Sequence, residues 1–193
     1  MPTQERVFIV AEAGVNHNGS PELALRMIET AARAGADAVK FQTFHADQLT
    51  TANAPKAGYQ SAATAAAESQ RDMLRRLELD DPTYAALTQA CAVHGIEFMS
   101  TPFDEDSVDL LLRLGVKRLK VPSGEITNGP LLLKIARSEL PVIVSTGMST
   151  IDEIREALGV LAFGMSGLEA PRTRNDFLKA FNSAEGQTAL KRS

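Results

Sequence analysis

Two lysines stand where lysine is rarely found. Lys40, in Ala38-Val39-Lys40-Phe41, and Lys120, in Arg118-Leu119-Lys120-Val121, each interrupt an apolar run that reads as a buried strand. An ammonium group is almost never buried without a partner. Period-two alternation puts Lys40 and Gln42 on one face of their strand, with Val39 and Phe41 on the other. Two ammonium groups converging on one place repel unless an anion lies between them, so the pair reads as an anion site. The competing reading pairs each lysine with a nearby carboxylate, Glu12 or Glu125. Hydroxyls follow the same strands: Thr101, Ser123, Ser145 and Thr146. With lysines and loop amides they suit phosphate or carboxylate recognition, although Ser and Thr also cap helices. Glu12 and Glu125 each follow an apolar strand, where a carboxylate can bind sugar hydroxyls, orient water or shuttle a proton, or simply balance the lysines.

The three histidines carry less. His94 precedes the helix-ending Gly95 and suits that C-terminus electrostatically. His45 opens a long connection. His17, in Asn16-His17-Asn18-Gly19, is either a turn residue or a group on the substrate side of the first loop. No His, Asp and Glu cluster has metal-ligand spacing.

These residues hang on a strand–helix rhythm. Val7-Phe8-Ile9-Val10-Ala11 reads as a buried strand. Ser20 and Pro21 then open a helix that Gly35 closes, with Leu23, Met27, Ile28 and Ala31 on one face. Ala38 to Phe41 is a second strand and Ile96 to Met99 a third. Between them a helix opened by Asp81-Pro82 carries Tyr84, Leu87 and Cys91 on one stripe. A helix over Asp104 to Leu114, a strand at Arg118 to Val121, a helix from about Asn128 to Arg137 and a strand at Val142 to Val144 follow. Thr150 and Glu153 form a capping box for a helix carrying Ile154, Leu158 and Leu161. Such alternation implies parallel strands with right-handed crossovers, in an open doubly wound sheet or a (β/α)8 barrel. Neither a Gly-rich dinucleotide turn nor a P-loop is present. Polar clusters instead follow every strand, which is the barrel's habit and predicts one functional rim.

A full barrel takes about 250 residues. Here five units use the chain to about residue 163, and the rest offers one helix, roughly Arg174 to Phe181, and no strand. The expected fold is therefore α/β, an incomplete TIM (β/α)8 barrel of about five βα units, with strands one and five as open edges. One connection, Phe44 to Asp80, is far longer than the usual βα loop of about 2–6 residues. It holds an Ala/Thr/Ser stretch from Ser61 to Ala67 and a short helix near Ser69 to Leu77, and reads either as decoration or as a lid.

Composition narrows the classes. The chain has 193 residues, a net charge of -4, 44% hydrophobic and 23% charged residues, and one cysteine, Cys91. That balance excludes disorder as the main state, and no apolar run approaches a membrane helix. One cysteine excludes an internal disulfide. Mild acidity argues against a nucleic-acid surface. A polar start, Met1 to Arg6, running straight into a strand predicts no signal peptide and a cytoplasmic home.

Several stretches together resemble the sialic acid synthase family, the N-acylneuraminate synthases: Ala11 to Gly19, Ala34 to Thr43, Ser100 to Asp104, Lys120 to Glu125, Val144 to Ser149, and Pro55-Lys56-Ala57-Gly58-Tyr59-Gln60 in the long connection. The resemblance runs over about residues 7 to 190. It implies a condensation of phosphoenolpyruvate with the open-chain form of an N-acylated amino sugar, N-acetylmannosamine or a di-N-acetylated 6-deoxy relative, to a nine-carbon 2-keto sugar acid and phosphate. It implies that Lys40, Thr101, Lys120, Ser123 and Ser145 hold the phosphate and carboxylate of phosphoenolpyruvate, that Gln42 lines the same site, and that Glu12 and Glu125 face the sugar and the reacting centre. It also implies a domain-swapped homodimer, and a divalent metal, Mn2+ or Mg2+, held by two histidines on later strands. Residues 1–193 correspond to the N-terminal part of that barrel. The later strands and the family's antifreeze-like domain have no counterpart in them, so no metal ligand is expected in this chain and its turnover alone is not. The alternatives are a non-catalytic truncated remnant that at most binds phosphoenolpyruvate or a partner chain, and another phosphoenolpyruvate or aldolase-type barrel.

Overall fold

The structure, a computed structural model, describes residues 6–51, 54 and 69–192. The Pro55 to Gln60 motif and the Ser61 to Ala67 stretch lie outside the described residues. The chain divides into two compact units, Met1–Ser100 and Thr101–Ser193.

In the first unit β1 (Val10–Gly14) leads to α1 (Pro21–Arg33) and β2 (Ala38–Thr43). Two short helices follow, α2 (Ala46–Leu49) and α3 (Gln70–Arg75), then α4 (Asp81–Val93) and β3 (Glu97–Pro102). The strand order is β1-β2-β3, with β1 and β2 parallel. Ser20 caps α1 by accepting the Leu23 amide proton, and Asp80 caps α4 through Thr83. Helix α1 buries Ala24, Ile28 and Ala31, and α4 buries the expected Tyr84, Leu87 and Cys91. Beneath them Phe41 of β2 stacks on Phe98 of β3, ring centroids 5.9 Å apart. Burial pushes the Cys91 thiol up to about 12, so it packs as an inert apolar group. The two ends of the long connection are fastened together. Asp47 of α2 pairs with Arg75 at 2.7 Å and Arg71 at 3.5 Å, and Glu78 accepts the Ala46 amide proton.

The first strand differs from expectation. It starts at Val10, and Val7, Phe8 and Ile9 are exposed (76%, 44% and 53%) rather than buried. β2 begins only at Ala38, whose amide donates to the Ile9 carbonyl, and the Asp37 carboxylate holds the Ile9 amide and the Arg6 guanidinium. β3 also runs further than its apolar stretch, to Pro102. Ser100 and Thr101 are thus buried strand residues rather than loop residues, and the Ser100 and Thr43 hydroxyls share a 2.7 Å hydrogen bond.

The second unit contains α5 (Glu105–Arg113), β4 (Leu119–Val121), α6 (Gly129–Ala136), β5 (Val142–Val144), α7 (Ile151–Met165), α8 (Arg174–Asn182) and α9 (Ala184–Leu190). β4 and β5 pair in parallel, Lys120 opposite Ile143. Each α5, α6 and α7 start is capped by a side chain: Asp104, Asn128, and the Thr150–Glu153 box. Helix α7 packs closely against its neighbours through glycines; a Cβ at Gly164 would overlap Ala136 of α6, and one at Gly159 would crowd the Phe177 carbonyl of α8. Helix α9 departs from expectation. Its segment, Ala184-Glu185-Gly186-Gln187-Thr188-Ala189-Leu190, has no apolar stripe, yet Ser183 caps it and Gly186 lets it approach the Ala180 carbonyl. All β5 residues keep some exposure, Ile143 at 40%. No helix among the described residues is long and apolar enough to cross a membrane.

Candidate anion site

Each unit brings one of the two lysines to a polar cluster. In the first, Glu12 and Lys40 are register partners on adjacent parallel strands, and their side chains form an ion pair. Alternation along β2 sends Lys40 and Gln42 to the partly open face, while Ala38, Val39, Phe41 and Thr43 are buried. The register shifts between Glu12 and Gly14, a bulge that Gly14 accommodates at φ +55°. The bulge lets the Glu12 side chain lie over the glycine: a Cβ at position 14 would stand 3.4 Å from Glu12 Oε1 and 3.8 Å from Gln42 Nε2. Of the two readings of Lys40, the structure shows the carboxylate partner, Glu12.

The second cluster is built by the β4–β5 pair. Lys120 Nζ donates to Ser145 Oγ and to the Val121 carbonyl, both at 2.6 Å. Ser123 opens a single 3-10 turn, Ser123–Glu125, directly after β4. The loop after β5 folds onto that turn, where a Cβ at Gly147 would stand 3.4 Å from Ser123 Oγ. One ammonium and two hydroxyls are thus gathered at the ends of two parallel strands, and Lys120 is only partly buried. This is the donor set that binds phosphate or carboxylate oxygens. Glu125 accepts from Asn128 Nδ2 at 2.8 Å. Asn128 also caps α6 by accepting the Leu131 amide proton, so one residue both starts the helix and orients the glutamate. The sequence reading missed that second role, because an Asn before Gly-Pro already has a sufficient explanation as a cap. Thr101 lies in β3, almost fully buried.

His17 is fully buried, its ring 6.1 Å from Phe41. Nδ1 accepts the Gly19 amide proton at 3.1 Å, so the neutral ring carries its proton on Nε2, which has no hydrogen-bond partner among the described residues. The same loop is seated by Gly19, φ +78°, where a Cβ would overlap the Arg76 carbonyl after α3. His17 is a strut of the first loop. Burial lowers its pKa from the ordinary 6.5. The unfolded chain therefore binds this proton more readily than the native one, and stability falls as pH drops through about 6.5 toward the lowered native value. We expect the melting temperature to decrease from pH 7 to pH 5 and this component to vanish in His17→Asn, whose amide oxygen can still accept from Gly19. Equal pH profiles for the two proteins would contradict it. The capping carboxylates Glu22, Asp80, Glu153 and Asp176, all with lowered pKa, lose their contribution only at lower pH.

Among the described residues no group of three or more His, Cys, Asp or Glu side chains is placed to hold a metal ion, and His17 is engaged through Nδ1.

Parallel strand–helix units with polar, cationic strand ends define the α/β class of incomplete (β/α)8 barrels. Residues 27–182 match the NeuB family model, and the chain belongs to the NeuB family. It is 52% identical over 151 residues to N,N'-diacetyllegionaminic acid synthase of Legionella pneumophila, covering 78% of this chain and 42% of that protein. It is 32% identical over 158 residues to human N-acetylneuraminate-9-phosphate synthase, covering 82% of this chain and 44% of that one. Among solved structures, the N-acetylneuraminic acid synthetase of Leptospira borgpetersenii superposes with a TM-score of 0.70 at 34% identity, over 81% of this chain and 50% of that one. The chain thus spans less than half the length of these curated relatives.

Proposed function

We propose that this chain carries the phosphoenolpyruvate-binding half of an N-acylneuraminate synthase-type transferase. The complete protein condenses phosphoenolpyruvate with an open-chain N-acylated amino sugar, giving a nine-carbon 2-keto sugar acid and phosphate. The observation that carries this reading is the Lys120–Ser145 hydrogen bond beside Ser123, a cation and two hydroxyls at strand ends within a NeuB-family chain. In this reading Lys40, Thr101, Lys120, Ser123 and Ser145 bind the phosphate and carboxylate of phosphoenolpyruvate, and Gln42 lines the same site. Glu12 and Glu125 serve the sugar and the reacting carbon.

The division of labour follows from the reaction. C3 of the enol attacks the sugar aldehyde, and positive character develops at C2. Water adds there, and the tetrahedral product expels phosphate. Fixed ammonium groups stabilise the charge on the leaving phosphate, and a carboxylate stabilises the cationic carbon or takes a proton from the water. Asn128, by holding one Glu125 oxygen, leaves the other oxygen to act. The complete protein is a homodimer in this reading.

The sugar is a di-N-acetylated 6-deoxy relative of N-acetylmannosamine, the precursor class of a diacetyllegionaminic acid. Support comes from the identity of 52% with the Legionella synthase against 32% with the human one. The test joins this chain to the remaining half of the Legionella relative and measures product by mass spectrometry. Condensation should run at least about ten-fold faster with the diacetylated 6-deoxy sugar than with N-acetylmannosamine, the size of discrimination a few pocket contacts supply. A preference for N-acetylmannosamine would overturn the sugar assignment, and absence of any 2-keto acid product would overturn the reaction.

A further inference from the structure

Lys40 cannot hold an anion and Glu12 at full strength together, and the geometry around the pair indicates which partner yields. Glu12 and Lys40 sit side by side on β1 and β2, joined by their ion pair. The two halves are unequally fixed. The Lys40 side chain is 13% exposed, set in a strand whose neighbouring residues are buried. The Glu12 side chain is 56% exposed and lies over Gly14 at the bulge, where no side chain fills the space beneath it. Moving the carboxylate into water therefore costs little desolvation, because it is already half solvated, whereas moving the ammonium would disturb the strand. The Gln42 amide, which shares the partly open face of β2 with Lys40, also lies over Gly14.

We propose that Glu12 is an exchangeable counter-ion of Lys40: it occupies the ammonium while the site is empty, and an arriving phosphate or carboxylate displaces it. The exchange has two consequences. It sets the affinity of the site, since the anion must compete with an internal carboxylate. It also frees the Glu12 carboxylate beside the bound anion, and only when an anion is there. This rests on the reading of Lys40 as an anion contact, and it gives Glu12 a role that a plain structural ion pair or a direct anion ligand would not have.

The distinguishing result is one of sign. Removing a residue that binds or positions an anion weakens binding. Removing a competitor strengthens it. Titration calorimetry of the full chain with inorganic phosphate, and separately with phosphoenolpyruvate, at low salt, should give tighter binding for Glu12→Gln than for the parent by about five-fold or more, the size of a part-exposed ion pair of about 1 kcal/mol. Lys40→Met should weaken both anions. Unchanged or weaker binding in Glu12→Gln, with Lys40→Met weakened, overturns the exchange and leaves the anion reading standing. Unchanged binding in Lys40→Met overturns that reading and the exchange with it. Glu12→Ala, checked by thermal melting, makes the same comparison if the glutamine variant does not fold, since Glu12 lies on the exposed side and its truncation leaves no buried cavity.

Discussion

Given phosphoenolpyruvate and either the di-N-acetylated 6-deoxy sugar or N-acetylmannosamine, the 193-residue chain alone should form no 2-keto sugar acid, with or without added manganese. Two deficits lead to this. The described residues offer no group that could hold a metal, and a Lewis acid at a carbonyl oxygen stabilises the transition state by several kcal/mol. The chain also covers 42% of the Legionella relative, and in the proposed reading a 193-residue polypeptide carries only part of the surface that holds the aldehyde carbon against C3. Poor positioning of two reactants costs several kcal/mol more. At about 1.4 kcal/mol per factor of ten, the two together remove at least about four orders of magnitude from the rate. A coupled phosphate-release assay with mass spectrometry of the sugar acid reads this directly. Phosphate released in step with a 2-keto sugar acid by the purified chain would show that this half does the whole reaction.

Binding should behave differently from turnover. Lys120→Met is expected to weaken phosphoenolpyruvate binding by about 10- to 150-fold, the equivalent of a charge-assisted hydrogen bond of about 1.5–3 kcal/mol. Lys120 is the stronger test of the two lysines, because its ammonium is already aimed by Ser145 Oγ and the Val121 carbonyl and reorganises little when an anion arrives. Ser145→Ala should cost less, about five-fold, for loss of one neutral hydrogen bond. Met retains the stem of Lys120 between Leu119 and Val121, so a change in thermal stability should be small beside the change in affinity. Calorimetry that found the same affinity in Lys120→Met and parent would remove Lys120 from the site.

Much of the fold was legible because the signals were local. Ser20-Pro21, Asp81-Pro82 and Thr150 with Glu153 marked helix starts where the structure has them, and the stripe Tyr84, Leu87, Cys91 is the buried face of α4. What failed depended on neighbours distant in sequence. Val7 to Ile9 look like a buried strand, but burial requires something to cover their side chains, and all three are exposed. Ser100 and Thr101 look like loop residues, but β3 continues through them, and the Ser100 hydroxyl is satisfied by Thr43 of the neighbouring β2. Helix α9 was invisible because its packing uses the absence of a side chain at Gly186, which a search for apolar periodicity counts as a defect.

The site was legible in part for the same reason. A lysine inside an apolar run is conspicuous, so Lys40 and Lys120 were found from residue type alone. Their partners were not determined by it. Lys40 takes Glu12, and Lys120 donates to a hydroxyl and a backbone carbonyl. A bulge at Gly14 lies beside Glu12, and Asn128 holds Glu125. Neither a bulge nor an orienting hydrogen bond has a signature in residue spacing.

A crystal structure of the chain soaked with phosphoenolpyruvate tests the central claim most directly. The account predicts phosphate or carboxylate oxygens of the ligand within hydrogen-bond distance of Lys120 Nζ and the Ser123 and Ser145 hydroxyls. Ligand bound only elsewhere, for example in the roughly 550 Å³ cavity between α7, α8 and α9 lined by Phe163, Arg172 and Lys179, with Lys120 still on Ser145 and the Val121 carbonyl, would contradict it.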